Sequence, residues 1–215
     1  MLLTKDYFIK GYKDWLREFV EYKYFISLSI MVFVIATFID YFSGKYVTMT
    51  RTAHVPDLIL DHFGPLNLGF LYIWGYITLV LTILLYPVLF HIRTLHIVIS
   101  QFSILVMLRA VFVLLTHLQT PPDAIHVSFP GIFQSLSFEN DMFFSGHTAI
   151  PFLGFLLFKK PIRYFFLCGS FVMGSVVLLT HIHYSIDVFG AFFITYGSYK
   201  IGNLIIHKSE RYIRS

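Results

Sequence analysis

The stretch LGFLYIWGYITLVLTILLYPVLF, Leu68–Phe90, runs for 23 residues without a charge. About 20 apolar residues of helix cross the hydrocarbon core of a bilayer, so this run reads as a transmembrane helix. Five further apolar stretches lie on either side of it: Tyr24–Phe42, Leu95–Leu118, Phe143–Phe158, Tyr164–Thr180 and Tyr184–Ile206. Composition agrees. The 215-residue chain is 57% hydrophobic and only 13% charged, against about 25% charge in an ordinary soluble domain. The expected fold is an all-α integral membrane protein, a six-transmembrane-helix bundle spanning residues 24–215.

Residues 1–23 have a different pattern. Phe8, Tyr12, Trp15, Leu16 and Phe19 recur at helical spacing, with Lys5, Lys10, Lys13, Arg17 and Lys23 between them. This reads as an N-terminal amphipathic helix lying in the membrane interface. Its charged stretch is too long for a secretory signal, and no small-residue cleavage site follows. The single cysteine, Cys168, excludes an intramolecular disulfide. The net charge of +4 does not point to nucleic acid, because the basic residues are sorted by loop. With the N-terminus in the cytosol, thirteen fall on the cytosolic side: the five above, Arg93, Lys159, Lys160, Arg163, Lys200, Lys208, Arg211 and Arg214. Only Lys45 and Arg51 fall on the other side. This asymmetry predicts cytosolic termini. Golgi, plasma and bacterial inner membranes all fit such a topology, and a homo-oligomer is compatible with the chain.

Two motifs carry ionisable groups at span ends, where burial in lipid makes such groups functional candidates. Both fall on the exoplasmic side. In His183-Tyr184-Ser185-Ile186-Asp187 the i, i+4 spacing brings His183 and Asp187 within reach if a helix begins there. A carboxylate beside an imidazole fixes its tautomer, as a nucleophilic histidine requires. The pair reads equally well as a helix cap. In Ser145-Gly146-His147-Thr148, with Pro151 close behind, a helix start offers free N–H groups to an anion. Gly146 allows close approach, and His147 can protonate a leaving oxygen.

Helix rise, about 1.5 Å per residue, sets His147 about 16 Å from the cytosolic end of its span, Arg109 about 21 Å and Asp187 about 28 Å. All lie toward the outer leaflet. Arg109, the only arginine inside a span, needs a partner. Asp187, Asp141 and a substrate phosphate all qualify, the last through the guanidinium fork. His181 and His183 face apart on a helix, so no metal and no cofactor are expected. His91, His96 and His207 read as interfacial. Thr116, His117, Pro121 and Pro122 border the site.

The SGHT and HYSIDV segments resemble the type-2 phosphatidate phosphatase superfamily, and within it the sphingomyelin synthase branch most. Asp141 stands four residues before Ser145, Pro56-Asp57 precedes the second span, and Arg109, Thr116 and Pro121 follow the branch's third-span pattern. The resemblance covers roughly residues 55–197. It implies that His183 is the nucleophile, Asp187 its orienting partner and His147 the acid. Arg109, Asp141, Ser145, Gly146 and Tyr184 are the implied substrate contacts. The implied reaction moves a phospho-headgroup from a glycerophospholipid to a lipid alcohol such as ceramide. A lipid hydrolase of phospholipase C or lipid phosphate phosphatase type, in which water meets the phosphohistidine, and a non-enzymatic lipid-binding membrane protein are the alternatives. The chain departs from the superfamily in lacking any Arg-Pro and in carrying Val176-Val177 where Ser-Arg is usual. It departs from the branch at Glu139-Asn140, where the branch has cysteine and glycine. Fewer cations suit a monoanionic phosphodiester better than a near-dianionic monoester.

Overall fold

The computed structural model describes residues 11–50, 53–129, 131, 138, 140–159 and 161–214, without the side chains of 207 and 209–214. Lys5, Phe8, Lys10, Arg51, Glu139 and Lys160 lie outside this set, as do the side chains of His207, Arg211 and Arg214. The described residues form α1 (Tyr12–Met49), α2 (Tyr76–Phe90), α3 (Leu95–Leu115), α4 (Gly146–Leu157), α5 (Ile162–Leu179) and α6 (Ser185–Arg214). One turn of π-helix, Leu71–Gly75, leads into α2. No β-strand forms among the described residues; one isolated bridge joins Ala53 to Leu118.

Four helical segments are long and apolar enough to cross a membrane: Tyr12–Met49, Leu71–Phe90, Ile92–Leu115 and Ile162–Leu179. The six-span expectation is met to that extent. The other two helices depart from it for physical reasons. At 12 residues, α4 is about 18 Å long, shorter than a hydrocarbon core of about 30 Å. The 30 residues of α6 are long enough, but Asp187, Lys200 and Asn203 interrupt their apolar run.

Residues 12–23 do not form a separate helix. They run unbroken into the first span, giving a helix of 38 residues, about 57 Å. Part of their aromatic face is covered by the neighbouring helix ends, while Tyr12 stays exposed. The Trp15 indole donates to the Val88 carbonyl at 2.7 Å, Trp15 stacks on Phe19, and Glu18 pairs with Arg93 at 3.0 Å. His96, expected at the interface, is buried between Tyr22 and Phe25.

The core lies where α2, α3, α4 and α5 converge, on Leu79, Ile83, Leu105, Leu153, Phe166 and Met173. Outward faces are as apolar as inward ones: Phe38, Leu85, Phe171 and Phe193 are all exposed. Lipid as the surrounding solvent accounts for this pattern. On α3, Gln101 is fully buried. Its side-chain amide donates to Asn203 Oδ1 at 2.8 Å and to the Tyr199 carbonyl at 3.2 Å, so Asn203 of α6 is answered within the protein.

One end of the bundle is knitted by backbone hydrogen bonds between loops. Ala53 N–H donates to His117 O, Gln119 N–H to Ala53 O, Leu66 N–H to Leu179 O and Ile125 N–H to Thr180 O. Both sequence motifs sit at this end. Below it, Gly154 of α4 lies against the ring of Phe166 on α5, which a Cβ at 154 would overlap. Gly154→Ala is therefore expected to lower stability by about 1–3 kcal/mol through overpacking. Thermal unfolding of the purified protein in detergent measures it; an unchanged midpoint would contradict this packing.

Candidate active site

Helix α5 ends in a turn that fixes His183. His181 N–H donates to Leu178 O and Ile182 N–H to Val177 O, the Schellman pattern of a helix C-terminus. The left-handed position, usually glycine, is occupied by His181 at φ 55°. Histidine tolerates that region better than most residues. The ring of His181 meets Phe63 edge-on, and its place in the turn explains the HxH spacing. Among the described residues no group of three or more His, Cys, Asp or Glu is arranged to hold a metal ion.

Two residues later the chain enters α6. The Asp187 carboxylate reaches back and accepts the Tyr184 N–H at 3.2 Å, a cap from the third helical position. The same Oδ2 atom lies 3.1 Å from His183 Nδ1. Both readings of this pair, cap and imidazole partner, are thus realised by one oxygen. Asp187 is fully buried and His183 nearly so. With the carboxylate accepting, the proton sits on Nδ1, and the Nε2 lone pair is free.

The start of α4 is tied to the same spot. Ser145 N–H donates to the Asp187 carbonyl at 3.2 Å. No side chain caps α4, so its first N–H groups lack side-chain partners, and the helix N-terminus carries partial positive charge. His147, in that first turn, lies between two tyrosine rings: Tyr72 at 4.1 Å and Tyr76 at 4.0 Å, both nearly parallel to it. The π-helical turn before α2 adds a residue to the helical path between these rings. His147 is 8% exposed, and its Nε2 has no hydrogen-bond partner.

His147 and His183 line one cavity of about 350 Å³, together with Gly146, Arg109, Asp141 and Asp40. Arg109 binds Asp141 at 2.6 Å and Asp40 at 3.3 Å. Of the expected partners, Asp141 is present and Asp187, which serves His183, is not. Asp40 on α1 is an additional one, and a lone carboxylate in an apolar run could have pointed to it. Gly146 lies against the guanidinium: a methyl there would sit 3.5 Å from Arg109 Nε.

Ser145 and Tyr184, named beside these residues in sequence, do not line the cavity. Ser145 is fully buried. The Tyr184 hydroxyl donates to the Gln119 carbonyl at 2.9 Å and props the loop layer. The adjoining loop is held by a reciprocal pair. Asn140 Oδ1 accepts the Thr120 N–H at 3.0 Å, and Asn140 N–H donates to Thr120 Oγ1 at 3.2 Å. Asn140 is itself in the left-handed region, at φ 60°.

Asp57 completes the frame from outside the spans. Its Oδ2 accepts Ser185 N–H at 2.7 Å and the Ser185 hydroxyl at 2.8 Å. Its Oδ1 accepts the N–H groups of Ile59 and Leu60. Burial alone would raise its pKa, but these hydrogen bonds outweigh burial and hold it below the ordinary carboxylate value. Compared with family models, curated proteins and solved structures, the chain finds no match.

Two expectations follow from this geometry. Replacing Tyr72 or Tyr76 by alanine removes one wall of the imidazole slot and is expected to lower turnover of the substrate proposed below about tenfold to a hundredfold. Phenylalanine at either position keeps the ring and most of the activity; equal losses for Phe and Ala would show that stacking is not what matters. The contribution of Asp57 to stability is complete above its unfolded pKa of about 3.9 and is lost as pH falls through its lower folded value. Asp57→Asn is expected to cost about 1–2 kcal/mol at neutral pH, as for a lost cap. Melting midpoints of the two proteins should converge as pH approaches ~3; a gap independent of pH would mean that the carboxylate charge is not involved.

Proposed function

We propose that this chain is a membrane lipid phosphotransferase, moving a phospho-headgroup from a glycerophospholipid to a ceramide-like lipid alcohol through a phosphohistidine on His183. One observation carries the reading: a carboxylate-paired imidazole and a second, unpartnered imidazole open on one cavity beside an uncapped helix N-terminus. The SGHT and HYSIDV segments, which resemble the sphingomyelin synthase branch of the type-2 phosphatidate phosphatases, supply the reaction class.

In the first step the Nε2 lone pair of His183 attacks phosphorus and the bond to the diacylglycerol oxygen breaks. Protonated His147 gives its proton to that departing oxygen. Asp187 stabilises the positive charge that develops on the His183 ring. In the second step His147 takes the proton of the acceptor hydroxyl, its oxygen attacks phosphorus, and the electron pair of the P–N bond returns to His183. The N–H groups at the start of α4 are suited to the charge on the equatorial oxygens.

The local charge favours a diester. Two carboxylates, Asp40 and Asp141, answer the single Arg109 guanidinium, leaving no cationic surplus for the second charge of a phosphomonoester. The same reading puts α4 and α6 across the bilayer as the fourth and sixth of six spans, both termini in the cytosol and the cavity toward the exoplasmic leaflet. The basic residues Arg93, Lys159, Arg163 and Lys200 at the opposite end support that orientation.

Purified protein supplied with labelled phosphatidylcholine or phosphatidylethanolamine, with and without ceramide, tests the proposal. New phospho-headgroup sphingolipid is expected only with ceramide. His183→Ala and His147→Ala are each expected to abolish it, and Asp187→Asn to lower it by on the order of 10³–10⁴. Wild-type turnover in either histidine variant refutes the mechanism. Free phosphocholine or phosphoethanolamine with no new lipid makes the protein a hydrolase instead.

A further inference from the structure

The cavity continues past the polar groups into the bundle, and three helices line it with the same polarity gradient. On α1, Asp40 is followed one and two turns deeper by Thr37 and Phe33; on α3, Arg109 by Val106 and Phe102; on α2, Tyr76 by Val80. Each series repeats at i−3/i−4 or i+4 spacing, so each is a stripe on one helix face. The direction is common to all three: charge and hydroxyl at the loop end, hydrocarbon at the inner end. The shaft below Arg109 spans seven residues of α3, about 10 Å. The edge-to-face pair of Phe33 and Phe102 forms its floor. Thr37 adds no polar demand midway, because its hydroxyl is already donated to the Phe33 carbonyl at 2.9 Å.

The shaft also has a side opening. Both α1 and α2 pack on α3, but they make little direct contact with each other. Leu81, which lines the cavity from α2, is 50% exposed at this seam. The outer faces of both helices are apolar, with Val34 exposed on α1 and Leu85 on α2. A chain surrounded by lipid therefore meets, at this seam, a slot that is apolar below and ionic above.

We infer that the shaft between α1, α2 and α3 is the seat of one hydrocarbon chain of a phospholipid, which enters sideways from the bilayer between α1 and α2 with its headgroup at Arg109, His147 and His183. This deepens the reaction proposed above and rests on it for the placement of the headgroup. The occupant follows from the page: only an amphiphile matches a cavity of this gradient, and acyl chains are the medium outside the seam. The site would discriminate by chain length rather than by headgroup alone.

A phosphatidylcholine carrying a diazirine in its sn-2 chain tests the inference without turnover. Full-length protein in bilayer nanodiscs is irradiated and the crosslinked peptides are mapped by mass spectrometry. Crosslinks are expected on Phe33, Thr37, Val80 and Val106, facing inward. Val106→Phe fills the shaft and is expected to lower them about tenfold. Leu81→Trp, at the mouth rather than in the core, is expected to lower them too, and covers the case in which Val106→Phe does not fold. Crosslinks confined to outward residues such as Phe38 and Leu85, and unchanged in Leu81→Trp, overturn the inference. The two proposals fail separately. Shaft crosslinks with no turnover of any phospholipid leave the chain seat standing and remove the reaction. His183-dependent turnover without shaft crosslinks keeps the reaction and removes the seat.

Discussion

A guanidinium at membrane depth has to be answered from within the protein, and Arg109 is the charge around which this bundle is arranged. Leaving it unpaired in hydrocarbon is costly, and breaking a buried pair strands the remaining charge. Two carboxylates meet it, from elements far apart in sequence: Asp40 from the first helix and Asp141 from the loop before α4. The pairing does more than neutralise. It holds α1 against α3 near the looped end of the bundle and stops the loop one turn short of α4. It thereby leaves Gly146 and His147 beside the guanidinium. These three charges sit at the rim of the cavity, and apolar side chains line it below them.

A second joint is made at Asp187. Its side chain caps α6 and holds His183, and its carbonyl accepts the first N–H before α4. One residue therefore sets the relation of the two motifs, which meet although 36 positions separate His147 from His183. The motifs act on that joint from opposite sides: one histidine is fixed by a hydrogen bond to Nδ1, the other by flat contact with two aromatic faces. These are different ways to hold an imidazole. The first selects a tautomer; the second fixes the ring plane and leaves its nitrogens free of protein partners that would compete with a ligand.

Much of this was readable in the residues. Long apolar runs with few charges mark the four spans, because unanswered charge is costly in hydrocarbon. The His183–Asp187 contact follows from spacing alone, since i and i+4 share a helix face. Asp40 was missed, although a lone carboxylate within an apolar run demands a counter-charge and could have pointed to it. The tyrosine clamp was not legible. With 25 Phe and 14 Tyr in the chain, two more rings in a span carry no signal, although i, i+4 spacing does put Tyr72 and Tyr76 on one helix face. Tyr184 and Ser145 are named in the sequence for their place in the motifs. A helix start sends neighbouring side chains in different directions: the Tyr184 hydroxyl goes to the Gln119 carbonyl, the Ser145 hydroxyl accepts from Thr148, and neither lines the cavity. The unbroken α1 was hidden by a change in composition at residue 24 that has no counterpart in backbone preference.

The contact between Asp57 and Ser185 has a consequence for how the molecule is made. The carboxylate belongs to the first loop and its partner to the start of the final helix, 128 positions later. A nascent chain inserted from its N-terminus exposes the acceptor long before the donor has been synthesised. His183 and Asp187 arrive with that last helix and are locked only when it docks. The end of the cavity that holds the two histidines is thus completed only when α6 docks, long after the first loop has been made.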